Sequence, residues 1–191
     1  EKDEPTTTTT TTDTEGGGGG GGVYYSFYWG TVHYIVTDDH WDRDRSQQRR
    51  FGIEQTKWLQ QELRQSEGTF KVIVVGSDIM QRGYSKDLEH IGKTVTDHKI
   101  PGVLFHAGDI HRNEYKRRII SHFPYPVVQI SSSGIAKVWR RPYCHIRVDF
   151  SSSSVPNDPT MTAYFYGAAT KAKRNQEWIN EVDTICSAIG P

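Results

Sequence analysis

An aspartate and a histidine lie one residue apart near the middle of the chain, directly after a short apolar run. The run Val-Leu-Phe-His-Ala occupies residues 103–107 and is broken at Gly108, after which Asp109 and His111 follow. Ligands of open α/β sheets bind beyond the carboxyl ends of strands, and a carboxylate with an imidazole is a plausible pair of metal ligands. The spacing alone favours an ordinary Gly-Asp turn beside a solvated histidine. The neighbouring segments therefore have to decide whether this pair binds a metal ion.

The segments around this pair predict an α/β fold. Residues 51–66 form an amphipathic helix and residues 86–99 a weaker one, whereas residues 70–75 are the nearly continuous apolar run of a strand buried on both faces. The longer helix carries its apolar stripe at Ile53, Trp58, Leu59 and Leu63. Helices alternating with buried strands are typical of α/β organisation, with residues 103–107 as a further strand.

The two ends of this region predict antiparallel structure. Residues 24–29 and 32–36 are rich in aromatic and β-branched residues and flank Gly30, which indicates a β-hairpin. Three later strands without intervening helices suggest an antiparallel continuation of the sheet, at residues 126–130, 144–150 and 161–167. Residues 175–189 are predicted to form a terminal helix.

Residues 1–22 are of low complexity, with seven threonines from Thr6 to Thr12 and seven glycines from Gly16 to Gly22. Such a segment buries too little apolar area to offset the entropy of ordering it. We therefore expect a disordered linker, followed by one domain over residues 23–191.

Composition excludes several classes of function. The 191 residues include 23 basic and 23 acidic ones, so net charge predicts neither nucleic-acid binding nor a membrane surface. No apolar run approaches the ~20 residues of a membrane-spanning helix, and no signal peptide is visible. Cys144 and Cys186 match no metal spacing, and we interpret them as buried or free thiols. The cellular compartment stays open.

Five ordered segments resemble the C-terminal half of PhoD-like alkaline phosphatases, within the calcineurin-like metallophosphoesterase superfamily. They are a Tyr-Ser-Phe-x-Trp-Gly hairpin at residues 25–30, a loop at 37–44, a Gly-x-Glu-Gln-x-x-Trp-Leu helix entry at 52–59, the Gly-Asp-x-His loop at 108–111 with Glu114 after it, and a strand at 129–135. Each motif is weak alone, and their order carries the resemblance. It covers the chain from Val23 to about Gly167.

The resemblance implies part of an αββα sandwich with a mixed sheet, and hydrolysis of phosphomonoesters or phosphodiesters at a binuclear site of divalent or trivalent metal ions. In such sites a metal-bound hydroxide attacks phosphorus in line, and the two cations neutralise charge on the attacking and leaving oxygens. By the motif match, Asp109 and His111 are expected as metal ligands. No other catalytic residue is assigned.

Two ligands do not complete a binuclear site. The remaining family ligands come from N-terminal motifs, and none of these precedes Val23. The Asp38-Asp39-His40 segment is superficially similar to one of them but follows the wrong hairpin, so we interpret it mainly as a surface or supporting loop. The alternative function is therefore a catalytically inactive remnant of the fold that serves as an interaction or structural module.

The resemblance also concerns partners and the remaining histidines. The superfamily packs two sheets face to face, so we expect an open apolar sheet face covered by a partner chain or by a missing N-terminal half, together with a phosphoester substrate.

His33 and His106 lie within predicted strands and are interpreted as structural. Ser131 to Ser133 carry no oriented His–Asp pair or nucleophile elbow, so no nucleophile is predicted there.

Overall fold

A six-stranded mixed sheet forms the centre of the structure, which is a computed structural model. It describes residues 23–40, 46, 48–110 and 113–132, and the backbone of three further strands at 143–149, 160–167 and 178–187. The predicted linker, residues 1–22, lies outside the described residues.

The elements follow the alternation that the sequence predicts. The first sheet contains β1 (Tyr25–Trp29), β2 (Val32–Val36), β3 (Phe70–Val75), β4 (Val103–Ala107), β5 (Asn113–Arg118) and β6 (Val127–Ser132). The helices are α1 (Gly52–Gln65) and α2 (Ser85–Asp97), with a short 3₁₀ turn before α2 at Arg82–Tyr84. A second sheet contains β7 (Tyr143–Asp149), β8 (Thr160–Gly167) and β9 (Trp178–Ser187).

The strand order of the first sheet is β1-β2-β3-β4-β6-β5. β2, β3, β4 and β6 are parallel neighbours, whereas β1 and β5 pair antiparallel at the two edges. α1 connects β2 to β3 and α2 connects β3 to β4, as the crossover connections of parallel strands require. The predicted α/β class and mixed sheet are confirmed.

Both helices pack on the same face of the first sheet. The core between them contains Leu59 and Leu63 from α1, Ile91 and Val95 from α2, and Phe105 from β4, each exposed by 1% or less. At about 25 cal/mol per Å² of buried apolar surface, this core is the main stabilising term for the α/β unit. It fixes the carboxyl ends of the parallel strands relative to the helix N-termini.

The opposite face of the sheet is also buried at its centre. Six apolar side chains there are exposed by 6% or less, namely Val32, Phe70, Val72, Leu104, Val128 and Ile130. These residues are covered within the chain itself, and β8 of the second sheet lies against β5 of the first. The expected open face is therefore not found at the centre of the described sheet, and a covering partner stays a proposal.

The C-terminal region differs from its prediction in two ways. Residues 178–187 form β9 rather than part of a helix, because Ile179, Val182 and Ile185 are β-branched and pairing with β8 satisfies the backbone. β7, β8 and β9 form a separate antiparallel sheet, whereas β6 joins the first sheet beside β4. The prediction of one antiparallel continuation was wrong in this respect.

The backbone register also places the two cysteines. Cys144 lies opposite Phe165 and Cys186 opposite Met161, on the two outer strands of the second sheet. Next-nearest strands are about 9.5 Å apart, which exceeds the ~7 Å limit between the Cα atoms of a disulfide. The two positions are therefore not paired in this sheet.

Neither helix of the described part of the chain has the length and apolar character that a membrane crossing requires.

Candidate functional site

The carboxyl ends of the parallel strands meet at one edge of the first sheet and carry most of the polar residues of interest. β2 ends at Val36 and is followed by Asp39, β3 ends at Val75 and is followed by Ser77 and Asp78, and β4 ends at Ala107 and is followed by Asp109. Because β2, β3 and β4 are neighbours, these three loops lie side by side. This carboxyl edge is the place where open α/β sheets bind their ligands.

Two glycines allow the loops of the carboxyl edge to approach each other. A Cβ atom on Gly76 would come within 2.4 Å of an Asp39 carboxylate oxygen, and one on Gly108 would come within 3.3 Å of the Gly76 carbonyl oxygen. Only a residue without a side chain fits at Gly76 without displacing Asp39. Gly76 after β3 and Gly108 after β4 thus have the same role, since each lets two neighbouring loops pack closely.

Asp39 is held at this edge by three hydrogen bonds to one of its oxygens. Its Oδ2 accepts hydrogen bonds from the Ser77 backbone N–H at 3.1 Å, the Ser77 hydroxyl at 3.2 Å and the Tyr84 hydroxyl. Tyr84 is fully buried, and burial followed by the hydrogen bond to Asp39 strongly raises the pKa of its phenol. Tyr84 is therefore a neutral donor that holds Asp39 in place.

Arg50 completes this network from the start of α1. Its guanidinium lies 4.5 Å from the centre of the Tyr84 ring and donates to the Ser77 hydroxyl over 3.0 Å. Its backbone N–H donates to the fully buried Asp87 on α2 over 2.8 Å. Burial raises the pKa of Asp87 to about 6, against the opposing hydrogen bonds from the backbone of Arg50 and Phe51.

The Gly-x-Glu-Gln helix entry has a structural explanation at the same edge. Gly52 has a φ of +68°, a conformation that costs little only for glycine. Gln55 is 5% exposed and binds both backbone groups of Asp38, accepting from its N–H at 2.7 Å and donating to its carbonyl at 2.6 Å. This residue therefore fixes the backbone that presents Asp39.

A second set of charges joins the loop after β3 to β5. The Lys116 ammonium contacts the Asp78 carboxylate and lies 2.8 Å from the Glu114 carboxylate. Burial opposes ionisation of Asp78, but hydrogen bonds from Lys116 and the Met80 N–H outweigh it and lower the pKa of Asp78. This carboxylate is therefore ionised and neutralised by the protein's own cation.

Asp109 differs from both of these aspartates because its side chain is exposed. Its φ of +67° places a non-glycine residue in the left-handed region, where aspartate is tolerated better than most side chains. The other predicted ligand, His111, lies outside the described residues. His106 is half-buried on β4, where burial lowers the pKa of its imidazole, as expected for a structural histidine.

The carboxyl edge does not by itself make a metal site. Among the described residues, no group of three or more His, Cys, Asp or Glu side chains is arranged to hold a metal ion. Oδ2 of Asp39 and both carboxylate oxygens of Asp78 are already engaged by protein donors. A metal at this edge would therefore need further ligands besides Asp109.

The Asp39 network was not predicted from the sequence beyond the supporting role given to its loop. Tyr84 and Asp39 are 45 residues apart, and Lys116 and Asp78 are 38 residues apart. One feature of the sequence could have indicated this network. Gly76 directly follows a buried strand, as Gly108 does, and so marks a second loop at the same edge.

Comparison with solved structures decides the fold. The structure of PhoD superposes with a TM-score of 0.56 over 86% of this chain, at 12% sequence identity. The chain has a PhoD-like fold. It spans 44% of the PhoD chain, so it corresponds to less than half of that protein. No family model and no curated protein matches the sequence. The PhoD relationship is thus one of fold, and the activity of this chain is a separate question.

Proposed function

We propose that this chain is the part of a metal-dependent phosphoesterase that contributes Asp109 and His111 to the metal site. The carrying observation is the position of Asp109, the exposed aspartate directly after β4, at the carboxyl edge of a sheet with the PhoD-like fold. Metal ions bound there would polarise a phosphoryl group and ionise water near neutral pH. The further ligands would come from outside the described residues.

Three features of the chain support this proposal. Asp109 presents an exposed carboxylate at a φ of +67°, a conformation that aspartate tolerates better than most side chains. Asp39 is held by Ser77 and Tyr84 against the neighbouring loop. Rigid packing at Gly76 and Gly108 then fixes the position of Asp109 relative to the sheet.

A second function, an inactive phosphatase-fold module, is favoured by the ion pairs between the loop after β3 and β5. Lys116 already pairs with both Asp78 and Glu114, and the described residues contain no complete ligand set. In this alternative the carboxyl edge is held together by the chain's own ion pairs, and the chain serves for interaction or structure.

Hydrolysis assays separate the two functions. The protein as the cell makes it would be assayed with p-nitrophenyl phosphate and bis-p-nitrophenyl phosphate in the presence of Mn²⁺, Zn²⁺, Ca²⁺ or Fe³⁺. The test variant is Asp109→Asn, which keeps the shape and tolerates the left-handed backbone. The matched control is Asp97→Asn, an exposed residue at the end of α2 and thus at the opposite edge of the sheet.

The phosphoesterase proposal expects metal-dependent turnover that falls at least tenfold in Asp109→Asn and is unchanged in Asp97→Asn. Turnover that is equal in the two variants would assign the activity to another site. No turnover with any metal would leave the inactive module as the better account.

A further inference from the structure

A serine, a histidine and a glutamate form a connected chain at the amino edge of the sheet, away from Asp109. The Ser66 hydroxyl lies 2.8 Å from Nδ1 of His33, and Nε2 of the same ring lies 3.4 Å from Oε2 of Glu62. Glu62 also accepts from the Ser26 hydroxyl at 2.6 Å. We propose that Ser66 is an activated nucleophile, with His33 as its general base, that reacts with small carboxylic esters.

The elements of the fold explain why these residues meet. Glu62 and Ser66 are four residues apart at the end of α1, so both face the same side of the helix. His33 is the second residue of β2, the strand on which this end of the helix packs. α1 runs antiparallel to the parallel strands, which places Ser66 at the edge opposite the carboxyl edge.

The neighbours of the ring assign the role of each nitrogen. Nε2 of His33 makes no hydrogen bond, but the Glu62 carboxylate lies 3.4 Å from it, and this negative charge favours the proton on Nε2 and leaves Nδ1 to accept from Ser66. Burial opposes ionisation of Glu62, but the nearby His33 ring and the hydrogen bond from the Ser26 hydroxyl outweigh it and lower the pKa of this carboxyl. Glu62 is therefore a positioning residue that orients the imidazole, as the carboxylate does in serine hydrolases.

Packing restrains the imidazole and leaves the serine accessible. His33 is 2% exposed, and the Tyr28 ring stacks on it at 4.3 Å with an angle of 6°. Gly68 makes this approach possible, since a Cβ there would come within 2.9 Å of His33. Ser66 itself is half-buried, and its hydroxyl accepts a hydrogen bond from the Gly68 N–H over 3.3 Å.

The reaction follows from these contacts. Ser66 Oγ bonds to the ester carbonyl carbon while its proton passes to Nδ1 of His33. The tetrahedral intermediate collapses, the bond to the leaving oxygen breaks, and that oxygen takes the proton from His33. Water then attacks acyl-Ser66 by the same route, which releases the carboxylic acid and restores the serine.

The test uses the full chain with EDTA, so that no metal-dependent hydrolysis contributes. The chain is treated with a fluorophosphonate probe and, separately, with p-nitrophenyl acetate, and the tryptic peptide of residues 65–71 is analysed by mass spectrometry. Ser66→Ala removes the nucleophile and His33→Gln removes the base. Thr69→Ala removes the other hydroxyl of the same peptide and is the matched control. Circular dichroism checks that each variant is folded.

The proposal expects an adduct on Ser66 in the folded chain and a p-nitrophenol burst. Both should be lost in Ser66→Ala, reduced at least tenfold in His33→Gln and unchanged in Thr69→Ala. Glu62→Gln should change the pH dependence of labelling. Labelling of Ser66 no faster than in the urea-unfolded chain, or equal in wild type and folded His33→Gln, would overturn the proposal and leave the network as a structural link between α1 and the hairpin.

Discussion

The Tyr84 hydroxyl donates a hydrogen bond to the Asp39 carboxylate across 45 residues of sequence. This contact joins the loop after β2 to the turn that starts α2, and Ser77 from the loop after β3 binds both side chains. The neighbouring loops after β2 and β3 are thereby held by one network of hydrogen bonds. The geometry around Asp109 depends on this network because Gly76 packs between Asp39 and Gly108.

Loss of the Tyr84 hydroxyl should destabilise the fold. Tyr84→Phe keeps the ring under Arg50 but removes a donor to a partly buried carboxylate, so we expect the free energy of unfolding to fall by about 1–3 kcal/mol. Urea denaturation measures the change. Tyr28→Phe is the control, since the Tyr28 hydroxyl accepts one exposed bond of 3.3 Å, and its effect should stay below about 0.5 kcal/mol. Equal effects in the two variants would contradict the importance of the Asp39 contact.

Asp87 should make stability depend on pH. Burial raises the pKa of its carboxyl from 3.8 to about 6, so the folded chain binds this proton more tightly than the unfolded chain. The contribution of Asp87 to stability is then fully present below pH 3.8 and is lost as the pH rises through about 6. Asp87→Asn should therefore remove on the order of 2 kcal/mol of the difference in stability between pH 4 and pH 7.5.

Unfolding curves at both pH values, for the wild type and for Asp87→Asn, measure this effect. Asp97→Asn, at an exposed position, should leave the difference between pH 4 and pH 7.5 unchanged. An Asp87→Asn variant with the same pH dependence of stability as wild type would show that the pKa of the Asp87 carboxyl is not raised in the folded chain.

The sequence predicted the parts of this fold whose apolar pattern is local. The hairpin, α1, β3, α2 and β4 lie within one or two residues of their predicted bounds, because each carries an amphipathic stripe or a continuous buried run. β5 was missed because its sequence, Asn-Glu-Tyr-Lys-Arg-Arg, is charged, as edge strands often are. β9 was predicted as a helix because the spacing of its β-branched residues also fits a helical stripe.

The candidate site was predictable only in part. The Gly-Asp-Ile-His pattern indicated Asp109 and placed it after a strand, where the structure has it. The structural role of Asp39 and the pairing of Asp78 with Lys116 depend on contacts between distant segments, for which periodicity carries no information. Gln55 was singled out by its motif, and the structure supplies the reason in its two hydrogen bonds to Asp38.

The Asp78–Lys116 pair should behave as a partly buried ion pair, since its side chains are exposed by 9% and 19%. Removal of Lys116 leaves the Asp78 and Glu114 charges uncompensated, so Lys116→Gln should lower the free energy of unfolding by about 1–3 kcal/mol. Adding Asp78→Asn should restore more than half of that loss, as a double-mutant cycle measures. Lys57→Gln, which breaks an exposed pair with Glu54, should cost less than about 0.5 kcal/mol. Strict additivity of the Lys116 and Asp78 effects would show that the pair does not interact.

The Asp109 side chain should contribute little to the stability of the fold. At its φ of +67°, Asp109→Gly should fold with a stability within about 0.5 kcal/mol of wild type, whereas Asp109→Ala should be less stable by about 1 kcal/mol. Urea denaturation of the three proteins gives the order. A glycine variant that is much less stable would mean that the carboxylate has a stabilising partner in the fold.

The most direct test of the proposed function is the metal content of the protein as the cell makes it, purified without chelator and compared with its Asp109→Asn and Asp97→Asn variants. Elemental analysis, followed by titration of the metal-free protein, gives the stoichiometry and the affinity. The account predicts bound metal in wild type and in Asp97→Asn, with affinity at least tenfold weaker in Asp109→Asn. The same metal content and affinity in all three proteins would contradict it.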